Sequence, residues 1–464
     1  MAPDTVSSNG SSKKQPVAFA YCEGSPSWNP DAYLADAELH ARAEAHLANN
    51  DLRSAITTSF SLRKTDTYVY HAIVAVTLPQ VQQVVSLGAA RGLHDWYYGE
   101  PPPPSPASPS PSLPSSATAT TATATTRITT PPVLLPPPPQ PDIEAYLSIF
   151  LSSSSAATAL RNLAANAKKG SLRREIGTYL TTKRFIHPAL PALVIPRAKK
   201  PSPFPSNPYL AFQAWASRNL EWAGPGPSSA RGRPSSHHVL PILMHHFGCA
   251  CPSHEALEIL RLLADGREII DVGSGNGYWT RMLRDYHAFH ALNASKRTSS
   301  TPLASVVPLV TPVDSAQSSW RTTWVRDTLI ADGAAYLRTT RRGARDAVLL
   351  LVYPIVGGGV AGGAEGGFTR SMLDAYDGDT VAVVGTQNHN GYTGFRHMTM
   401  EEFMVREHGD EWVRVVQVPL PSFPGKDEAL YVFQRGPRAP PRQGDETRVQ
   451  KPLDQGRGEE NTRE

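Results

Sequence analysis

From about residue 205 onward, short apolar runs bounded by Gly, Pro or acidic residues alternate with stretches whose apolar positions recur every three or four residues. Runs of the first kind suit strands buried on both faces, and those of the second suit amphipathic helices. "EIIDVG", "SVVPLVTPVD", "WVRDTLIADGAAYL" (a strand and turn), "DAVLLLVYP", "DTVAVVG", "EWVRVVQV" and "EALYVFQR" read as strands in that order. "NPYLAFQAWASRNLEW", "SHEALEILRLLADG", "YWTRMLRDY" and "MEEFMVREH" read as helices. Ser253 is placed to cap the second of these, and Thr399 with Glu402 forms a capping box for the last. Strand and helix in alternation predict an α/β domain with a mostly parallel sheet of seven strands, over 205–436.

Upstream the pattern is helical and then lost. "NPDAYLADAELHARAEAHLANNDL" predicts one helix, capped by Asn29 or Asp31, with Leu34, Leu39 and Leu47 roughly on one side. Residues 1–99 are read as a helical region. Residues 101–140 hold 14 prolines, no aromatic residue and one charge, Arg127. Such a stretch has little to bury against its ordering entropy, so 100–142 is expected to be a disordered linker, either a spacer or a proline-rich ligand for another domain. Ile143, Tyr146, Leu147, Phe150 and Leu151 then form a helical stripe that opens a connector over 143–204. The tail, 437–464, is charged and rich in Pro and Gly, and it too is expected to be disordered.

Charge and cysteine content narrow the setting. The chain of 464 residues carries a formal charge of only +4. Yet residues 161–200 hold ten Lys or Arg against one acid, Glu175. That segment suits contact with phosphates or RNA, or else a solvated connector. Three cysteines, Cys22, Cys249 and Cys251, make no disulfide framework and fit a reducing compartment. The first residues lack the apolar core of a signal peptide, and the longest apolar run is broken by Pro354 and the glycines 357–359. The expectation is an intracellular protein, cytoplasmic or nuclear, not secreted and not in a membrane.

The chemistry concentrates in "DVGSGNG". Gly273, Gly275 and Gly277 stand at alternate positions directly after a strand that ends in Asp271. Glycine weakens both strand and helix, so three of them mark a sharp turn with close backbone approach. A dinucleotide turn has the spacing G-x-G-x-x-G and meets a pyrophosphate, which Asp271 would repel. A nicotinamide-linked dehydrogenase is therefore disfavoured. A carboxylate there suits a cationic ligand, or one rich in hydroxyl and amine donors.

This run resembles the first motif of the class I S-adenosylmethionine (SAM)-dependent methyltransferases, over roughly half the chain. The resemblance implies a Rossmann-like seven-stranded sheet, SAM as cofactor and methyl transfer to an acceptor that is RNA, a protein or a small molecule. It places Asp271 near the methionyl ammonium and lets Gly273, Gly275 and Gly277 pass beneath the cofactor. Ser274 and Asn276 would add polar contacts. Asp314 would take the ribose hydroxyls and Asp332 the adenine amine. Tyr353-Pro354 sits where the family places its methyl-transfer motif, which makes Tyr353 the candidate catalytic residue. Asp314 follows Asp271 at a longer interval than usual, with "ALNASKRTSSTP" read as a polar loop insertion. The fourth motif lacks the Asn or Asp used on amino groups of bases and of glutamine.

Other readings stay open. Gln387, Asn388 and Tyr392 follow the fifth strand, where open sheets bind ligands, and His389 is a further candidate base. His245, His246, Cys249, Cys251 and His254 offer metal-type donors, but their spacing matches no common zinc pattern, and no metal is expected. The alternative function is a non-catalytic relative that keeps the fold and binds a partner.

Overall fold

The computed structural model describes residues 28–71, 75–87, 98–99, 133–134, 139–198, 204–219, 239–295, 310–354, 364–389, 393–395, 397–423 and 426–442. Nearly all of the proline-rich stretch 100–142 lies outside them, as do Lys199, Lys200, Tyr392 and residues 443–464.

The N-terminal segment is built by polar caps. Asn29 accepts from the Asp31 and Ala32 N–H groups and opens α1 (Pro30–Ala35). Asp36 interrupts the expected single helix, because its carboxylate caps a second one, α2 (Ala37–Ala48), through the Leu39 N–H. Asp51 caps α3 (Leu52–Ser59) in the same way. A hairpin, β1 (Val69–His71) with β2 (Ala75–Thr77), leads to α4 (Leu78–Leu87). Strands β3 (Tyr98–Gly99) and β4 (Val133–Leu134) pair antiparallel.

Helices α5 (Gln140–Leu147), α6 (Ala156–Ala165) and α7 (Leu172–Lys183) share a core of Ile143, Tyr146, Leu160, Leu163, Ile176 and Leu180. Leu151, expected on the apolar stripe, is exposed instead, because the helix tightens and ends before it. A two-residue strand follows, β5 (Phe185–Ile186).

Beyond α8 (Pro208–Asn219), α9 (Leu240–Phe247) and α10 (His254–Ala264), the expected strands appear in sequence. They are β6 (Ile269–Val272), β7 (Val310–Asp314), β8 (Leu329–Ile330), β9 (Val348–Val352), β10 (Thr380–Thr386), β11 (Val413–Pro419) and β12 (Glu428–Gln434). Between them lie α11 (Tyr278–Ser295), the short α12 (Gly333–Ala335), α13 (Gly367–Ala375) and α14 (Met400–His408). Ser253 caps α10 and the Thr399–Glu402 capping box forms. Helix α11 runs through Ser295, so "ALNAS" is its last turn and not a loop.

Among the described residues the main sheet has eight strands in the order β5-β11-β12-β10-β9-β6-β7-β8. Seven are those read from the sequence. The eighth, β5, adds antiparallel to β11 at the edge. Strands β10, β9, β6, β7 and β8 are parallel, and β12 inserts antiparallel between β10 and β11. Alternation along each strand divides the core. Val348, Leu350, Ala382 and Val384 face one side with α8–α11, and Leu349, Leu351, Val381 and Val383 face the other with α12–α14. Trp28, Tyr33, Phe60 and Tyr70 belong to the first of these cores, so the N-terminal helices pack on the same side as α9 and α11.

Candidate functional site

The chain reverses order at β6: β7 and β8 extend to one side of it and β9 and β10 to the other. Ligands of open parallel sheets bind at such a switch point, beyond the carboxyl ends of the strands. The glycine turn stands there. Gly273 and Ser274 both donate their N–H to Val313 O, which extends the β6–β7 pairing into the turn. All three glycines have positive φ, at 76°, 57° and 79°. Two also face close neighbours. A Cβ on Gly275 would lie 2.9 Å from the Trp320 ring, and one on Gly277 would lie 2.3 Å from a Val325 methyl. Glycine is therefore required both by the backbone and by what covers it.

Asp271 is the last residue but one of β6, at 0% exposure. Its Oδ2 accepts from the Thr280 hydroxyl at 2.6 Å, and its Oδ1 has no partner among the described residues. Burial pushes the carboxyl up to about 7, the nearby Asp314 adding to the rise while the Thr280 bond opposes it. Asp314 ends β7, and its two oxygens accept from the Gly275 N–H at 2.9 Å and the Ala316 N–H at 2.6 Å. Each carboxylate oxygen can still accept a second bond. Ser274 Oγ is buried and has no partner among the described residues.

The remaining candidates scatter. Asn276 is engaged within the protein: its amide donates to His246 O at 3.1 Å and accepts from the Tyr278 N–H at 3.2 Å, tying the turn to α9. Asp332 is exposed and caps α12 through the Ala335 N–H at 2.8 Å. Gln387 is held between Asp427 and Gln417 at 2.8 Å each. His389 is exposed and pairs with Glu402. His245 and His246 are absorbed by the N-terminal segment; His246 stacks on Phe60 at 3.9 Å and meets Tyr70 at 3.0 Å and Thr322 at 2.7 Å. No group of three or more His, Cys, Asp or Glu side chains among the described residues could hold a metal ion.

Tyr353 follows β9 directly, buried, with φ of 57°. A non-glycine residue held there is strained, and such strain persists only where the surroundings over-determine it. Its phenol donates to Glu428 Oε1 at 3.2 Å and accepts from Lys426 Nζ at 3.3 Å. Glu428 starts β12 opposite Thr386, at the same end of the sheet as the glycine turn. Burial pushes its carboxyl up to about 7, and burial lowers the Lys426 ammonium. Glu428 Oε2 has no partner among the described residues.

Two features escaped the sequence reading. One is this Tyr353–Lys426–Glu428 group, whose only signal was a Glu heading an otherwise apolar strand. The other is the segment 318–326, which folds back over the glycine turn. Trp324 donates its backbone N–H to Asn276 O and its indole N–H to His246 O. The two tryptophans four apart in "WRTTW" were the available signal.

A cavity of about 850 Å³ opens elsewhere, between α2, α8 and the turn after α5, with Leu47, Phe150, Trp215 and Tyr286 in its walls. It includes none of the glycine-turn residues.

No family description and no curated sequence matches the chain. Solved structures similar to it include a Streptococcus mutans protein assigned as a SAM-dependent methyltransferase, at 8% identity and a TM-score of 0.22, over 36% of this chain and 44% of that one. Another is magnesium protoporphyrin IX methyltransferase from Synechocystis PCC 6803 with bound S-adenosylhomocysteine (SAH), at 11% identity and a TM-score of 0.23, over 45% of this chain and 91% of that one. The chain thus spans less than half of the first structure's length. The assignment of fold rests instead on the strand order and on the turn. With a parallel sheet reversing at β6, an antiparallel β12 inserted next to its last parallel strand, and a glycine turn after Asp271, the chain has the fold of the class I SAM-dependent methyltransferases.

Proposed function

We propose that this chain binds SAM at the glycine turn and transfers its methyl group to an acceptor at the carboxyl ends of β9 and β10. The observation that carries the reading is Asp271: a fully buried carboxyl, one of whose oxygens has no partner among the described residues, at the switch point, on a turn closed to side chains. A plain packing turn gains nothing from such a group. A cationic ligand does. Asp271 would hold an ammonium and Asp314 the ribose hydroxyls. Asp332, capped onto α12, keeps one oxygen for an amine donor.

SAM would supply an already electrophilic methyl group. The protein's task is then to hold a nucleophile in line, exclude water and accept its proton. Tyr353 and Glu428 are the groups proposed for the last part, since a carboxyl raised to about 7 exchanges protons near neutrality. The acceptor is proposed to bear a proton on its reacting atom. Arg161, Lys168, Lys169, Arg174 and Arg197 are exposed and suit an RNA acceptor, whereas Arg173 and Arg184 are engaged with Asp142 and Glu255. Binding to RNA that ignores salt concentration would remove that part of the proposal.

One observation favours the second reading, a binding protein without turnover: Trp320 and Val325 already lie against Gly275 and Gly277. Incubation of the full chain with methyl-labelled SAM and extract separates the two. Label transferred to an extract component, and lost with Glu428→Gln, supports catalysis. Bound SAM with no transfer supports the binding role.

A further inference from the structure

The glycine turn gathers three buried polar atoms that have no partner among the described residues: Asp271 Oδ1, Ser274 Oγ and Trp320 Nε1. Chemically they are a carboxylate acceptor, a hydroxyl and a donor-only N–H. Their neighbours are engaged: Asp271 Oδ2 by Thr280, Asp314 by two backbone N–H groups, and Asn276 by α9. Trp320 is only 9% exposed, and its Nε1 lies 3.5 Å from where a Gly275 Cβ would stand. Three such polar atoms at one turn define the chemistry of a ligand that would satisfy them. It must present a cation to Asp271 and an acceptor to Trp320 and Ser274. A neutral nucleoside can do only the second. An α-amino acid zwitterion does both.

We propose that the Trp320 indole N–H, with the Ser274 hydroxyl, binds the carboxylate of an α-amino acid group whose ammonium lies against Asp271. This inference rests on the SAM reading above and names the residue that recognises the amino-acid end of that cofactor. It also gives the N-terminal segment a role. Arg321, 1% exposed, pairs with Asp66 at 2.5 Å and lies 4.1 Å over the Tyr68 ring. Trp324 packs edge-on to Trp28 at 5.5 Å. Residues 28–68 thereby hold the chain that directly follows Trp320 and act as positioning elements for it.

The test compares two ligands on the full chain by calorimetry: SAH, and 5′-methylthioadenosine, which has the same nucleoside thioether without the amino acid group. Wild type is expected to bind SAH at least about 100-fold more tightly, a difference of about 2.7 kcal/mol. Trp320→Phe keeps the ring and removes the N–H; it should weaken SAH about tenfold and leave methylthioadenosine unchanged. Ser274→Ala should do the same. An unchanged SAH-to-methylthioadenosine ratio in both variants overturns the proposal and leaves SAM binding standing. Equal affinity of wild type for the two ligands does likewise. Failure of wild type to bind either ligand overturns the SAM reading and this inference together.

Discussion

Replacing Asp271 with Asn separates stability from binding in opposite directions. The carboxyl titrates at about 7 in the folded chain against an ordinary 3.8. It is therefore about 4 kcal/mol harder to ionise when folded, at about 1.4 kcal/mol for each pKa unit. Because the folded value is the raised one, its contribution to stability is full below pH 4 and is lost as pH rises through about 7. Asn keeps the shape and can still accept the Thr280 bond through its carbonyl oxygen. Asp271→Asn should thus stabilise the ligand-free protein at pH 8, by about 2–4 kcal/mol in urea unfolding, and by almost nothing at pH 4. Glu428 at about 7 and Asp427 at about 6 titrate in both proteins, so the difference between the two curves isolates Asp271. The same substitution should weaken SAM about 100-fold at pH 8, since the cation loses its counter-charge. A variant less stable than wild type at pH 8, with unaltered affinity for SAM, would refute the reasoning: Asp271 would then be a structural carboxylate whose charge the fold uses.

Gly275→Ala places a Cβ 2.9 Å from the Trp320 ring at a φ of 57°. It should cost about 1–3 kcal/mol of stability and abolish detectable SAM binding, read by thermal melting and calorimetry. Breaking the buried Arg321–Asp66 pair with Arg321→Met should destabilise by about 3–5 kcal/mol, because Asp66 keeps a charge that is mostly buried. The double variant with Asp66→Leu should recover much of that loss in urea unfolding; if it does not, the pair is not what ties the N-terminal segment to the turn. Tyr353→Phe removes a bond to Glu428 without leaving a cavity, and should alter the pH profile of labelled transfer more than SAM affinity.

Much of the sheet was legible because its central strands are buried on both faces and so are written as unbroken apolar runs, as in "AVLLLV" of β9. The turn was legible because positive φ at alternate positions admits few residues but glycine. Strand β5 was not, since two residues pairing with an edge carry no period. The break between α1 and α2 was hidden because Asp36 has an ordinary place on a polar helix face, and its capping role depends on the backbone around it. Site residues brought in from distant chain positions were the least visible. Trp320 reaches the turn only because Asp66, Tyr68, Trp28 and His246 fix its neighbours, and nothing local to 318–326 encodes those contacts. Asn276 illustrates the reverse. Its place in the motif suggested a ligand contact, but α9 claims its amide.

The glycine turn with Asp271 is proposed to be the site of a positively charged, nucleoside-bearing methyl donor. The most direct test of that proposal is a calorimetric titration of the full chain with SAM at pH 8, repeated with Asp271→Ala. One site per chain is expected in the wild type and no measurable heat of binding in the variant. Absence of binding by the wild type at millimolar SAM, or equal affinity in both proteins, would contradict it.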